Sequence, residues 1–304
     1  MTSQRRHKGS EDQSHTDASR QPRVIVERSG RIMKVKSKVS FIIRSARQAI
    51  ARRPVTRGSE SVIEEYGAAW NSFRQVLASS DSIEAWLNID GFDRREDWFN
   101  VDGALFYGSY NASQFYRSRL KWALDTHFAD INSVTEYGAG LGRNLLFLKS
   151  LYPHLQCNGY ELVGDGVEIA RAAAAKFGLD VSYAQLDYLK DPSERFVFPP
   201  SDVAFTVFSL EQLPVGCDIA LRNILKRTRF GTIHLEPVPE NYPLSPRGLI
   251  GRIDHVKAGY LRQFSKAIGR QDLSSEWHER MSTSHNALMF PSLYVLKKQR
   301  AASP

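Results

Sequence analysis

The sequence predicts an α/β fold: a seven-stranded, mostly parallel sheet with an N-terminal helical cap and a disordered basic extension. Three observations carry this expectation. From about residue 131 onward, short strand-like runs alternate with helix-patterned runs, the signature of a parallel sheet with crossovers. The run Val134-Thr135-Glu136 feeds directly into three glycines, Gly138, Gly140 and Gly142, and then into the apolar series Leu145, Leu146, Phe147, Leu148 and Leu151. Charge is unevenly spread: residues 1–60 hold 15 Lys or Arg against 5 Asp or Glu, and the rest of the chain holds 26 against 28.

Each element follows from local pattern. Residues 1–30 are rich in Ser, Gln, Arg, His and Asp and carry too few large apolar groups to offset ordering entropy, so disorder is expected there. Over 31–53, Ile32, Val35, Val39, Ile42, Ile43, Ala46 and Ile50 recur at helical spacing among Arg31, Lys34, Lys36, Lys38, Arg44, Arg47, Arg52 and Arg53. This is a basic amphipathic helix ended by Pro54. It suits peripheral contact with an anionic membrane surface, docking on an acidic partner, or packing of its apolar face on the domain. Residues 1–57 are thus read as an extension, 58–130 as a helical cap and 131–300 as the main domain.

In the cap, Ile63, Tyr66, Trp70, Phe73, Val76 and Leu77 follow helical spacing, and a short helix capped by Asp81 buries Ile83, Trp86 and Leu87. Residues 88–111 read as an irregular aromatic-rich piece, and 112–128 as a third helix. Strands are expected over 133–137, 156–161, 180–184, 203–208, 231–235, 276–281 and 293–297. Helices are expected between them over 167–177, stopped by Gly178, over 218–226, and over 255–268, stopped by Gly269.

Composition excludes several classes. With 304 residues, 42% of them hydrophobic, the chain can bury one α/β domain plus extras. No run of 18 apolar residues and no apolar signal core occurs, so a cytoplasmic protein is expected, with a place at the inner membrane face only through the basic helix. Cys157 and Cys217 are too few for a disulfide scaffold or zinc cluster. No metal-ligand spacing stands out. The near-neutral body speaks against nucleic acid as partner, since positive charge would be needed around the site itself.

The glycine turn marks a site where ligand approaches backbone amides at a helix start. A dinucleotide turn runs G-x-G-x-x-G and holds a pyrophosphate. Here the spacing is G-x-G-x-G, with Glu136 two residues before Gly138. A carboxylate there opposes an anion and suits a ligand with an amine and a sulfonium. This run resembles the first motif of the class I S-adenosylmethionine-dependent methyltransferases, an acidic residue, any residue, then G-x-G-x-G, and the resemblance covers about residues 111–298.

The resemblance implies a Rossmann-like seven-stranded sheet whose last strand runs antiparallel, S-adenosyl-L-methionine as cofactor, and a methyl acceptor as substrate. Glu161, 19 residues beyond Gly142, would accept the ribose hydroxyls, and Asp187 the adenine amine. Tyr107, Tyr110 and Tyr116 of the cap are candidates to line the pocket. Ser209, Glu211 and Gln212, after the fourth strand, lie where methyl and acceptor should meet. With no Asn-Pro-Pro-Tyr-type motif, oxygen is the expected acceptor atom, in a small molecule, a sugar or a lipid-linked intermediate. A hydroxyl needs a base, for which Glu211 stands first, with Glu236 and Glu240 next. His285 and Asn286 are expected acceptor contacts, and His234 a satisfied core histidine. The rivals are an NAD-dependent oxidoreductase and a non-catalytic S-adenosylmethionine-binding protein.

Overall fold

A computed structural model describes residues 35–89, 97–190 and 196–299. The disorder expected for 1–30, and the start of the basic helix, lie outside the described residues. The N-terminal part contains α1 (Val35–Ala51), α2 (Ser59–Ser79), α3 (Ile83–Leu87), β1 (Asp97–Val101), β2 (Ala104–Gly108) and α4 (Ser113–His127). α2 buries Val62, Trp70, Phe73 and Leu77, close to the face its spacing predicts. The cap of α3 is Ser82, whose hydroxyl accepts from the Ala85 amide at 3.1 Å, one residue later than Asp81.

The stretch read as irregular contains a hairpin. Asp102 and Gly103 turn it with φ of 48° and 83°, the two left-handed residues of a type I′ turn. Trp98 pairs with Tyr107 and Phe99 with Phe106 across the strands. Asp-Gly between aromatic runs is the short-range signal that the aromatic density obscured.

The chain then enters the sheet through β3 (Ser133–Tyr137), α5 (Arg143–Leu151), β4 (Gln156–Glu161), α6 (Gly164–Lys176), β5 (Val181–Gln185) and β6 (Ser201–Val207). It continues through α7 (Cys217–Lys226), β7 (Thr228–Pro237), α8 (Pro246–Lys257), α9 (Phe264–Ile268), β8 (Leu273–Arg280) and β9 (Pro291–Lys298). The strand order is β5-β4-β3-β6-β7-β9-β8, and β9 runs antiparallel to both its neighbours. The central strands are deeply buried: every residue of β3 is buried, the polar Ser133, Thr135 and Glu136 included. The direction of strand order reverses between β3 and β6, and a crevice opens there beyond the carboxyl ends of the strands.

One crossover differs from expectation. The single helix expected over 255–268 is two, α8 and α9, separated around Gly259, whose φ is +73°. Ser245 caps α8 by accepting from Gly248, with Pro246 in the first turn. His255, expected to begin a helix, lies near the end of α8. It is buried against Tyr242 and the Leu261 carbonyl.

The basic helix packs part of its apolar face on the domain. Phe41, Ser45 and Ala49 turn inward, and Phe41 stacks on Trp98 with ring centres 4.9 Å apart. Val39, Ile43 and Ile50 stay 53%, 50% and 68% exposed, so only part of the apolar stripe is buried. After α1 the chain stays bound to the body: Arg52 pairs with Asp254 at 2.8 Å and the Val55 amide donates to the Lys257 carbonyl at 2.9 Å. Among the described residues no helix is long and apolar enough to cross a membrane.

Removing residues 1–57 uncovers Trp98 and strips these bonds from α8. The truncated protein should therefore melt lower, at about 2–4 °C for each kcal/mol lost. Differential scanning calorimetry of both forms checks this, and equal midpoints would make α1 a passive appendage.

Candidate functional site

The glycine turn is shaped by crowding as much as by ligand access. Gly138, Gly140 and Gly142 take φ of 76°, 53° and 72°, and a Cβ on Gly138 would lie 1.8 Å from the Ser209 hydroxyl. On Gly142 it would meet Tyr183 at 2.4 Å. Gly142 is thus a packing glycine, not a cavity residue as the motif suggests. Gly138 and Gly140 line a cavity of about 1010 Å³ at the reversal between β3 and β6.

The three carboxylates at strand tips line the same cavity. Glu136 is buried; its Oε1 accepts from Asn144 at 2.7 Å, and its Oε2 has no partner in the protein. Burial raises its pKa well above the ordinary carboxylate range. Glu161 accepts from the amides of Gly140 at 2.8 Å and Val163 at 2.9 Å. It therefore fixes the turn itself and keeps one lone-pair direction on each oxygen for a ligand. Asp187 accepts from the Ser59 hydroxyl of α2 at 2.8 Å and from the Leu189 amide at 3.1 Å. α2 lies over this end of the cavity, with Trp70 3.3 Å from where a Gly140 Cβ would stand.

At the other end, the chain leaves β6 through Phe208, a non-glycine residue with φ of +53°. This strained turn is held by Glu236 at the end of β7. Its carboxylate accepts from the amides of Ser209 and Leu210, both at 3.1 Å, and of Glu211 at 3.0 Å. Glu236 is fully buried and does not line the cavity, so it holds the loop and is not a base facing a substrate. Ser209 lines the cavity and shares a hydrogen bond of 2.7 Å with the Tyr188 hydroxyl.

Glu211 does face the cavity. Its Oε1 accepts from Gln212 at 2.9 Å, and its Oε2 is buried without a partner. Burial, reinforced by the Glu236 charge, pushes its pKa up to about 8. His285 exposes its ring to the cavity while Nδ1 meets the Tyr116 hydroxyl at 3.3 Å. The protein packed behind it lowers its pKa to about 4, so it is a neutral ring at pH 7. Glu240, a further base candidate, instead accepts from the Gln263 amide away from the cavity. His234 is the satisfied core histidine expected, bonded to Thr206 at 3.0 Å and Thr232 at 2.9 Å.

Tyr107, Tyr110 and Tyr116 line the cavity as the cap reading implies. Sequence reasoning missed Tyr66 and Trp70 of α2, read only as a packing face, and Arg44 of α1. It also missed Arg117, buried on α4, and Arg143 at the start of α5. Arg143 follows the glycine motif directly, but Arg117 offered no local signal.

No family model matches the chain, and no curated protein sequence matches it. Among solved structures, the [4+2]-cyclase SpnF aligns with a TM-score of 0.55 at 15% identity, over 81% of this chain and 98% of its own. Geranyl diphosphate methyltransferase with GPP and sinefungin aligns at 0.47 and 12% identity, over 62% and 79%. Magnesium protoporphyrin IX methyltransferase ChlM from Synechocystis PCC 6803 with bound SAM aligns at 0.45 and 12%, over 61% and 79%. The strand order and the likeness to SpnF define a class I methyltransferase fold. SpnF is a cyclase, so the fold alone does not fix the reaction.

Two neighbouring carboxylates should respond to neutralisation in opposite ways. Glu236→Gln sets an NH2 donor against backbone amides that now have a carboxylate oxygen to donate to, and should cost about 1–3 kcal/mol of stability. Glu211→Gln should remove a pH-dependent penalty. A folded pKa near 8 against 4.5 unfolded means the native state holds the proton longer, so stability falls as pH rises through that window. Urea melts at pH 6 and pH 9 should show Glu211→Gln gaining on the wild type at the higher pH. A loss for Glu211→Gln at both values would reverse the assignment.

Proposed function

We propose that this protein transfers a methyl group from S-adenosylmethionine to a hydroxyl oxygen. One observation carries the reading: Glu136 and Glu211, each with one buried carboxylate oxygen that has no partner, line one cavity at the ends of the adjacent strands β3 and β6. The first suits the cofactor's amine and the second the proton of an acceptor. Both are costly to bury unless a ligand satisfies them.

The residues fit the cofactor in kind. Glu136 would hold the amine, Glu161 the ribose hydroxyls, Asp187 the adenine amine, and Arg117 and Arg143 its carboxylate. Ser59 already donates to Asp187, so α2 would share that carboxylate with the base. The cavity, about 1010 Å³, exceeds the needs of one drug-sized ligand and leaves space for an acceptor. When bound, S-adenosylmethionine supplies an electrophilic methyl: the sulfur–methyl bond breaks as an oxygen–methyl bond forms, and sulfur keeps the electron pair.

The protein's part is orientation and proton removal. Glu236 fixes the backbone of 209–211, which sets Glu211 at the cavity wall, and Glu211 takes the hydroxyl proton. Orientation of acceptor and methyl supplies the rest. An NAD reading is disfavoured by Glu136, since its carboxylate occupies the wall a pyrophosphate would face.

Titration calorimetry should give binding of S-adenosylhomocysteine and none of NAD; the reverse would sink the cofactor assignment. For turnover, Glu211→Gln should lower kcat by about 10²-fold with cofactor affinity nearly unchanged. Because Glu211 acts only when ionised, kcat/KM should rise with pH up to about 8 and then level. Persistence of that limb in Glu211→Gln would move the base elsewhere. Cofactor binding without any methylated product across hydroxyl acceptors would favour a non-catalytic binding protein.

A further inference from the structure

The part of the cavity beyond the cofactor end is walled by rings. Tyr116 and Phe208 have ring centres 4.8 Å apart and tilted by 52°, and His285 stands 5.8 Å from Phe208 and 6.3 Å from Tyr116. Together they form an angled aromatic corner on the wall of the cavity that Glu211 also lines, and Phe208 is three residues before Glu211 in the chain. Tyr110, whose ring is stacked on Phe99 at 4.9 Å, lines the same cavity.

The corner is built at a cost. A bulky side chain at positive φ is costly, by roughly 1–3 kcal/mol, and persists only where the surroundings over-determine it. Phe208 has that backbone, and the buried Glu236 over-determines it by bonding the three amides that follow. The strain places an aromatic ring where a relaxed strand end would leave a different side-chain direction.

Three polar side chains on this wall are bonded within the protein. Asn111 donates to the Asn88 carbonyl at 2.9 Å and accepts from the Ser113 amide at 2.9 Å. Asn286 accepts from Leu288 at 2.9 Å, and Asp97 from Trp98 at 2.7 Å. The buried acceptor atoms left without partners here are Glu211 Oε2 and Gln212 Oε1. A sugar presents many hydroxyls, each needing a partner, and a saturated chain gains nothing specific from ring faces. One or two donors on a flat aromatic body match what the wall offers.

We infer that the methyl acceptor is a planar aromatic hydroxyl compound, held against the Tyr116–Phe208–His285 corner with its hydroxyl directed to Glu211. This rests on the methyl-transfer reading and narrows its acceptor. It replaces the broader expectation of a sugar or lipid-linked intermediate with a phenol-type substrate. Gln212 Oε1 accepts a second donor on the same ring, so a vicinal diol on an aromatic ring fits better than a lone phenol.

The test titrates the protein, saturated with S-adenosylhomocysteine, with three probes: 2-naphthol, its saturated counterpart trans-2-decalol, and methyl α-D-glucopyranoside. Naphthol should bind at least about tenfold more tightly than decalol, and the glucoside should give no heat. Tyr116→Leu keeps apolar volume and removes the ring, and should weaken naphthol by roughly three- to tenfold while S-adenosylhomocysteine affinity stays within twofold. Phe208→Leu should do the same, which covers the case in which Tyr116→Leu fails to fold. Decalol or glucoside matching naphthol overturns the inference, as does unchanged naphthol affinity in a folded variant. Failure of S-adenosylhomocysteine itself to bind would instead remove the cofactor reading, and the naphthol preference of the free protein would still report on the aromatic corner.

Discussion

The buried carboxylate of Glu236 is the interaction on which the active end of this molecule depends. It stands at the carboxyl end of β7, fully removed from water, and takes three successive backbone amides from the chain leaving β6. Those amides would otherwise be orphaned at a sharp turn inside the protein, where each unsatisfied donor costs on the order of 1–3 kcal/mol. With them held, the backbone at Phe208 can stay at positive φ, Ser209 can press against Gly138, and Glu211 can reach the cavity. The two walls of the crevice are tied together at that point, because Gly138 belongs to the β3 turn and Ser209 to the β6 turn.

The opposite wall uses the same device. Glu161 at the end of β4 takes the Gly140 amide and so shapes the glycine turn from the neighbouring strand. Each wall therefore has a carboxylate that is satisfied by backbone and one oxygen that is not: Glu161 with Glu136, Glu236 with Glu211. Burying three carboxyl groups on one cavity and Glu236 beneath the neighbouring loop opposes folding, and the pKa values of all four are raised by desolvation. The fully buried strands and the helices on both faces must offset that cost. A site assembled against the preference of its own groups for water is what a charged, hydrogen-bonding ligand would relieve.

The N-terminal segment is more than a tether. α2 covers one end of the cavity through Ser59 and Trp70, and α1 brings Arg44 to its rim while Phe41 packs on the hairpin. Arg57, between these helices, lies over the Tyr260 ring at 4.7 Å. The cap thus combines helices and a hairpin from distant parts of the sequence into a wall of the site. Part of the α1 apolar stripe stays outside, at Val39, Ile43 and Ile50.

Sequence by itself determined the sheet and placed the glycine turn and three carboxylates at strand ends beside one cavity. Seven strands, the glycine turn, Glu136, Glu161 and Asp187 are readable because they follow from short-range periodicity and from positions at strand ends, while the antiparallel last strand is what the family resemblance implies. The hairpin was also written locally, in Asp102-Gly103, and the split of α8 from α9 in Ser245-Pro246 and Gly259, although neighbouring patterns masked both. Only the tertiary structure decided which carboxylate faces the cavity. Glu211 and Glu236 are alike in sequence terms, each an acidic residue just past or at a strand tip. Their roles separate because β6 and β7 pair in parallel, which brings the Glu236 side chain under the backbone of 209–211 and leaves Glu211 on the other side of that loop. The aromatic corner of Tyr116, Phe208 and His285 was likewise invisible, since its members lie 77 or more residues from one another and meet only after the sheet closes. Periodicity records which face of an element is buried; it does not record what stands opposite.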